Sequence, residues 1–330
     1  MAISATSSVL TANDWQYAKD IKPGDYVFNQ LGQPVKVKTV QTYRSEDCYR
    51  VTFDDYLSID GDLHLAFPIE DRQYRKRALA YRGRLQRYAK LKIINVQSLC
   101  ELDLTHRGNR STYSVPTTEP VQLPHQPLGI PPFVYGLWFA GRMSRRQIHI
   151  PYEFLDDAIE KLTNAGYKVT KTGPYRQKYE RIRTEPSIWD QLRGLQTRKI
   201  PIQYLYSSAE QRLELIQGLL SAKPCKKTGS TGLFCIKTRK KHISAAIQYL
   251  SESLGAKTIP TEDKITGTYD LRIFRITPFI EQMAQKRAAA HLARRYVKSI
   301  KPISAQLCVH IETDEKDGTF LVGEGFIPCH

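Results

Sequence analysis

The sequence predicts two domains of different class: an all-β domain made from both ends of the chain, and an α+β domain inserted between them. Three observations predict it. Short alternating strands fill residues 1 to about 70 and return from 297 to 330. Residues 131–296 alternate helical and strand patterns, and do so twice. A proline- and threonine-rich stretch, 116–130, stands before the insert and reads as a linker. The expected domains are therefore 1–115 with 297–330, and 131–296. A length of 330 residues suits two or so domains, and 41% hydrophobic residues supply their cores.

The first part reads strand by strand. Val9-Leu10-Thr11 leads through a turn to Trp15. Lys22-Pro23-Gly24-Asp25 has Pro and Gly in turn positions, and Tyr26-Val27-Phe28 follows as a strand. Val35 to Val40 alternates. Cys48 to Phe53 and Tyr56 to Ile59 predict a hairpin around Asp54-Asp55, before Gly61-Asp62-Leu63-His64.

Residues 71–92 change character. Nine are Lys or Arg, among them Arg75, Lys76, Arg77 and Arg84, interleaved with Tyr74, Tyr81 and Tyr88. Basic and aromatic residues together suit a phosphate backbone; a solvated insertion accounts for them equally well. The net charge of +16 also favours a nucleic-acid partner.

The insert predicts two α-β-β-α-β-β units, about 131–205 and 206–296. In the first, an apolar helix Phe133–Ala140 precedes a strand at Gln147–Ile150. A helix Tyr152–Ala165 carries Leu155, Ala158, Ile159 and Leu162 on one face. A hairpin spans Tyr167–Arg183, and a helix lies around Ser187–Leu195. The second unit has helices Ser208–Ala222 and Lys240–Leu254, a hairpin at Gly229–Gly232, strands near Ala256–Arg275 and a short helix near Pro278–Ala288.

No apolar run reaches the roughly 18 residues that span a bilayer, and no signal pattern opens the chain, so a cytoplasmic, monomeric protein without a membrane partner is expected. The six cysteines form no CxxC pair and no metal-ligand spacing with histidines, so neither cofactor nor metal is expected. Only Cys308 and Cys329 share a stretch with other reactive groups. That stretch, Gln306–His330, stays apolar and strand-like to its last residue, whereas termini usually turn polar.

In this order the motifs resemble inteins, with a Hint splicing domain interrupted by a LAGLIDADG homing-endonuclease domain. Lys22-Pro23-Gly24-Asp25-Tyr26-Val27 is similar to the family's PGD turn, and Val9-Leu10-Thr11 with Trp15 to its N-terminal motif. Gly61-Asp62-Leu63-His64 stands where the family has T-x-x-H, and residues 308–330 resemble its two C-terminal motifs. Val134–Gly141 resembles the first LAGLIDADG helix, and Leu215–Lys223, after Arg198-Lys199-Ile200-Pro201, the second.

The resemblance implies autocatalytic splicing between host-protein flanks in cis: an N-to-S acyl shift, transesterification and asparagine cyclisation. It implies that His64 protonates the upstream amide nitrogen and that His330, like the family's penultimate histidine, assists the last step. A core or turn histidine and an ordinary terminal histidine are the plainer readings. The family's first nucleophile falls on Ala2, which has none: either a cysteine was replaced there to stop the reaction, or the chain is a natural member of a class that lacks the first nucleophile. In the third mechanistic class of inteins an internal cysteine starts the reaction, and Cys308 resembles it in place. That class also has a tryptophan where this chain has Ala66 and a threonine where it has Cys329. A buried apolar residue on a strand is the plainer reading of Cys308. Gly61 replaces the motif's threonine, and Gly318 stands where a further histidine is expected. The family's asparagine would follow His330, so the chain as given is expected not to splice.

Each LAGLIDADG helix of the family ends on an acidic residue that holds a divalent metal near the scissile phosphate. Gly141 and Lys223 stand there. The expectation is a decayed endonuclease, needing Mg2+ only if cleavage survives. Lys178, Lys227, Lys237 and Arg239, on strands of the insert, could still meet duplex DNA. The alternatives are a LAGLIDADG-type DNA-binding protein that does not cut, and an active site-specific endonuclease.

Overall fold

The computed structural model describes residues 2–75, 91–106, 110–144, 146–192, 199–222, 226–228, 233–274, 294–315 and 318–330. The protein is multi-domain and mostly β with several helices. It divides into two compact units: Met1–Gln122 with Gly255–Ile259 and Arg287–His330, and Leu123–Leu254 with Pro260–Lys286.

The first unit carries an eight-stranded sheet. Its order is Ser114–Pro116, Arg294–Ile303, Cys48–Phe53, Ser58–Asp62, Ala2–Ser4, Gln306–Thr313, Pro34–Ser45 and Tyr26–Phe28. The strand that opens the chain thus lies between Ser58–Asp62 and Gln306–Thr313, antiparallel to both. The alternation at Leu307–Ile311 explains the register. Val309 and Ile311 join Ile3, Val51, Phe53 and Phe67 in the main core, while Cys308 is buried on the opposite face. A four-stranded sheet, ordered Ile327–Cys329, Phe320–Val322, Ser8–Leu10 and Trp15–Tyr17, joins the two ends of the chain again.

Ion pairs hold the returning segment, among them Arg294 with Glu70 at 3.2 Å. Arg295 Nε donates to Asp55 Oδ2 at 2.7 Å, and both side chains are buried. Lys257 Nζ donates to Asp54 Oδ2 at 2.6 Å and to the Arg294 carbonyl at 3.0 Å. The hairpin read around Asp54-Asp55 therefore also anchors residues far along the chain. Burial lowers the Lys257 pKa, and Asp54 opposes that.

Two stretches differ from the sequence reading. Ala66–Ile69 pairs with Lys92–Asn95, followed by a helix Val96–Cys100 capped by Asn95, whose side chain accepts from Ser98 N at 2.9 Å. Neither is visible behind the basic stretch that precedes them. Residues 116–122, read as linker, pack within the first unit. Glu119 N donates to Gln30 O at 3.0 Å, Gln122 N to Gly32 O at 2.8 Å, and Thr118 Oγ1 to Gln30 O at 3.0 Å. Proline and threonine there exclude helix but not packing. The basic stretch from Lys76 to Lys90 and the helix expected near Pro278–Ala288 lie outside the described residues.

The second unit repeats one arrangement. Helix Pro132–Ala140 is followed by strands Arg142–Ser144 and Gln147–Pro151, helix Leu155–Asn164, and strands Lys168–Tyr175 and Tyr179–Glu185. Helix Ala209–Ser221 is followed by strands Lys226–Thr228 and Leu233–Thr238, helix Lys241–Ser253, strand Lys257–Asp263, whose residues 257–259 belong to the first unit, and strand Thr268–Phe274. In both sheets the strands lie in the order first, second, fourth, third. Ser208 and Gln211 form a capping box that starts the second long helix.

Helices Pro132–Ala140 and Ala209–Ser221 touch backbone to backbone. A methyl group on Gly136 would collide with the Leu215 carbonyl, and one on Gly218 with the Phe133 carbonyl. Two glycines therefore set the helix separation, as close packing requires. Among the described residues no helix is long and apolar enough to cross a membrane.

Candidate functional site

Ala2 is fully buried in its strand, with Ala2 opposite His310 and Ser4 opposite Cys308. Its methyl group packs with Cys48 and Cys308 in a small cluster of their own. The sulfur atoms of Cys48 and Cys308 are 3.9 Å apart, and Cys48 Sγ donates to Ser45 O at 3.3 Å. The cross-strand register adds two more groups. Tyr43 lies opposite Cys308, and Asp62 opposite Cys48. Tyr43 Oη donates to Asp62 Oδ2 at 2.5 Å. Burial, and then the Asp62 carboxylate, raise the Tyr43 pKa. Burial, and then the neighbouring Cys48, push the Cys308 thiol up to about 12.

Asp62 also shapes the next turn. Its Oδ1 accepts from His64 N at 2.9 Å and from Leu65 N at 3.0 Å. His64 is exposed after this turn, at the edge of an open cleft of 580 Å³ that Ala66, Ile94, Asn95 and Ser98 also line. His330 meets the same segment: His330 N donates to Ala66 O at 2.8 Å, and Ala66 N to His330 O at 3.1 Å. Both ends of the chain thus pair with one stretch, Ala2–Ser4 at Gly61 and His330 at Ala66.

Gly61 has a reason to lack a side chain. A Cβ there would stand 2.5 Å from Ala2 O and 2.8 Å from Leu65 Cδ2. A Cβ at Gly318 would stand 3.2 Å from His330 Nε2, so that imidazole occupies the space a longer side chain would need.

Not all the sequence-selected residues gather here. The structure brings Ala2 and Cys308 together, and sets His64 and His330 along the 61–66 stretch. Cys329 is instead fully buried in the main core, opposite Phe320, with its Sγ on Ile327 O at 3.6 Å. Burial raises its pKa far above the ordinary thiol range. It is held as an apolar core residue, away from Ala2's cluster. Tyr43, Cys48 and Asp62 were not selected. Asp62 sits inside the four-residue motif and Cys48 begins a clear strand, but only the register across the strands of the sheet joins them to Cys308.

In the second unit, Gly141 ends its helix, its N–H donating to Leu137 O at 2.9 Å, and a Cβ there would lie 3.8 Å from Ala222 Cβ. The two long helices therefore converge at these ends, and Gly141 brings no carboxylate. Lys223 lies outside the described residues. Among the described residues no three His, Cys, Asp or Glu side chains gather to hold a metal ion. Asp156 and Asp157 pair with Lys171 and Lys161 at 3.9 and 3.6 Å.

The basic residues divide. Lys178, Lys237 and Arg239 are exposed, with Lys237 3.6 Å from Asp270. Arg75 turns inward instead. Its guanidinium donates to Glu70 O at 2.7 Å, Ser114 Oγ at 3.2 Å and Ser111 O at 3.4 Å, and covers the Tyr296 ring. Its donors are engaged by the protein, so it is not displayed for phosphates. Lys76, Arg77, Arg84 and the side chain of Lys227 lie outside the described residues.

No family model matches the chain. A replicative DNA helicase DnaB of Mycobacterium intracellulare is 23% identical over 356 aligned positions, which cover 100% of this chain and 58% of the relative. The chain therefore spans 58% of the length of that curated relative. Among solved structures, the MchDnaB-1 intein is 23% identical over 21% of this chain and 53% of its own, with a TM-score of 0.20. A G-1F mutant of Ssp DnaB mini-intein variant M86 is 9% identical over 100% and 97%, with a TM-score of 0.31. I-DmoI, in complex with DNA and Mn, is 15% identical over 58% and 89%, with a TM-score of 0.28.

Proposed function

We propose that this chain is an intein carrying an inserted LAGLIDADG-type domain, and that Cys308 makes the first attack, on the peptide bond before Ala2. The observation that carries this is the packing of Cys308 directly against Ala2, a first residue with no nucleophile of its own. In that step the Cys308 sulfur bonds to the upstream carbonyl carbon, the bond to the Ala2 nitrogen breaks, and the nitrogen takes up a proton. The product is a thioester on Cys308 and a free amine on Ala2. His64, in the motif where the resemblance assigns it, protonates the leaving nitrogen. His330, held against Ala66, serves the downstream junction.

Splicing then passes the upstream flank to a downstream nucleophile, and asparagine cyclisation releases the intein. The relative that aligns along this whole chain is a longer replicative helicase, which favours flanks of that kind. The test places the chain between two reporter proteins, with Asn and then Cys or Ser after His330. Ligation of the two reporters by the chain with Ala2 unchanged, lost in Cys308→Ala, is the expected result. Ligation that persists in Cys308→Ala overturns the role of Cys308, and no ligation in the parent overturns the splicing reading.

The inserted unit is assigned as a DNA-binding remnant without cleavage, with two halves related by a pseudo-two-fold. Matching element and sheet orders support the duplication. The absence of a carboxylate at Gly141, where the helix ends converge, supports loss of cleavage. Exposed Lys178, Lys237 and Arg239 support phosphate contact. A gel shift on duplex DNA should weaken steeply with salt. Plasmid nicking with Mg2+ would instead establish an active endonuclease.

A further inference from the structure

We infer that Asp62, held by Tyr43, is the base that takes the Cys308 thiol proton. This rests on the reading of Cys308 as the first nucleophile.

Tyr43 and Cys308 are cross-strand partners, and so are Cys48 and Asp62. The two sulfurs touch at 3.9 Å, and the Tyr43 hydroxyl closes the ring by donating to Asp62 at 2.5 Å. The four side chains lie on one sheet face with the methyl of Ala2. Asp62 is buried, so its carboxylate is not spent on solvent. Its Oδ1 is occupied by the His64 and Leu65 N–H groups, while among the described residues Oδ2 has Tyr43 as its one donor. Oδ2 keeps room for a second hydrogen.

The chemistry requires such a group. Burial pushes the Cys308 thiol up to about 12, so in neutral solution its thiolate is scarce, and only the thiolate attacks. Tyr43 and Cys48 meet Asp62 directly, one by its hydroxyl and the other as its cross-strand partner; Cys308 lies beyond Cys48, close enough to feel the Asp62 charge, and His310 stands opposite Ala2 on the same face. At neutral pH a phenol and a thiol carry their own protons, whereas a carboxylate is ionised and free to accept one; His310 is the rival. In the step, the Cys308 proton passes to Asp62 as the sulfur bonds to the upstream carbonyl carbon. The Ala2 nitrogen leaves with a proton from His64, and no oxidant or other reactant is needed.

The test uses the full chain fused behind a reporter and follows thioester formation by hydroxylamine cleavage between pH 6 and 9. Asp62→Asn keeps an Oδ1 for the His64 and Leu65 N–H groups, so it preserves the turn while removing the base. It should slow cleavage ~100-fold near pH 7 and recover as solution hydroxide rises, which a purely structural defect would not do. Tyr43→Phe should change the rate less and shift the pH profile. Equal rates for Asp62→Asn and parent at every pH overturn the inference, as does a loss confined to His310→Gln. Cleavage in the parent that ignores Cys308→Ala overturns the prior reading of the nucleophile instead.

Discussion

The Cys48 and Cys308 sulfur atoms sit 3.9 Å apart against the methyl group of Ala2, where strands from both ends of the chain meet. A thiol so enclosed should be slow to react in the folded protein. Iodoacetamide at pH 8 should label exposed Cys100 and spare Cys48, Cys308 and Cys329, all buried, until urea is added. Peptide mass spectrometry reads this directly. Rapid labelling of Cys308 in the native state would contradict its burial.

The same thiol predicts a pH dependence of stability. Its folded value, about 12, lies above its ordinary value of 9.0. The folded protein therefore holds the proton where the unfolded chain has lost it. The contribution is complete below pH 9 and is lost as pH climbs from 9 towards 12, by at most about 1.4 kcal/mol per pH unit for one group. Urea unfolding at pH 8 and pH 10 should show a steeper loss for the parent than for Cys308→Ala.

Placing the threonine of the T-x-x-H motif at Gly61 should harm the fold. The new Cβ would stand 2.5 Å from Ala2 O, and overpacking of this kind costs about 1–3 kcal/mol. Thermal unfolding should show a lower Tm for Gly61→Thr, and for Gly61→Ala as well. An unchanged Tm would mean that the Ala2 strand can move aside.

The ion pair of Asp55 and Arg295 should matter for stability because both partners are buried. Arg295→Ala leaves a carboxylate alone and should cost about 3–5 kcal/mol. Removing Asp55 as well should return part of the loss. A double variant as unstable as the sum of both single ones would show that the two groups do not interact.

The pattern of the chain made its layout legible, and the reasons are local. The alternation at Leu307–Ile311 and the helical spacing at Leu155–Leu162 each depend on near neighbours in sequence, and the expected strand and helix are there. The helix Val96–Cys100 was missed because five residues carry little periodicity. The stretch 116–122 was misread because proline and threonine hide packing made through main-chain hydrogen bonds. Around Ala2, the motifs indicated His64, Cys308 and His330, but not Tyr43, Cys48 or Asp62. Those three come together through register across strands that sequence spacing does not encode. Burial on the core side of the tail, likewise, separates Cys329 from Cys308 although both lie within the same 25 residues.

The most direct measurement is the site of acylation. The chain is fused behind a reporter, the reaction is quenched in acid, and the acylated peptide is identified by mass spectrometry. The account predicts the upstream acyl group on the sulfur of Cys308, with a free amine on Ala2. An acyl group on another residue, or scission that yields no Cys308 thioester, would contradict it.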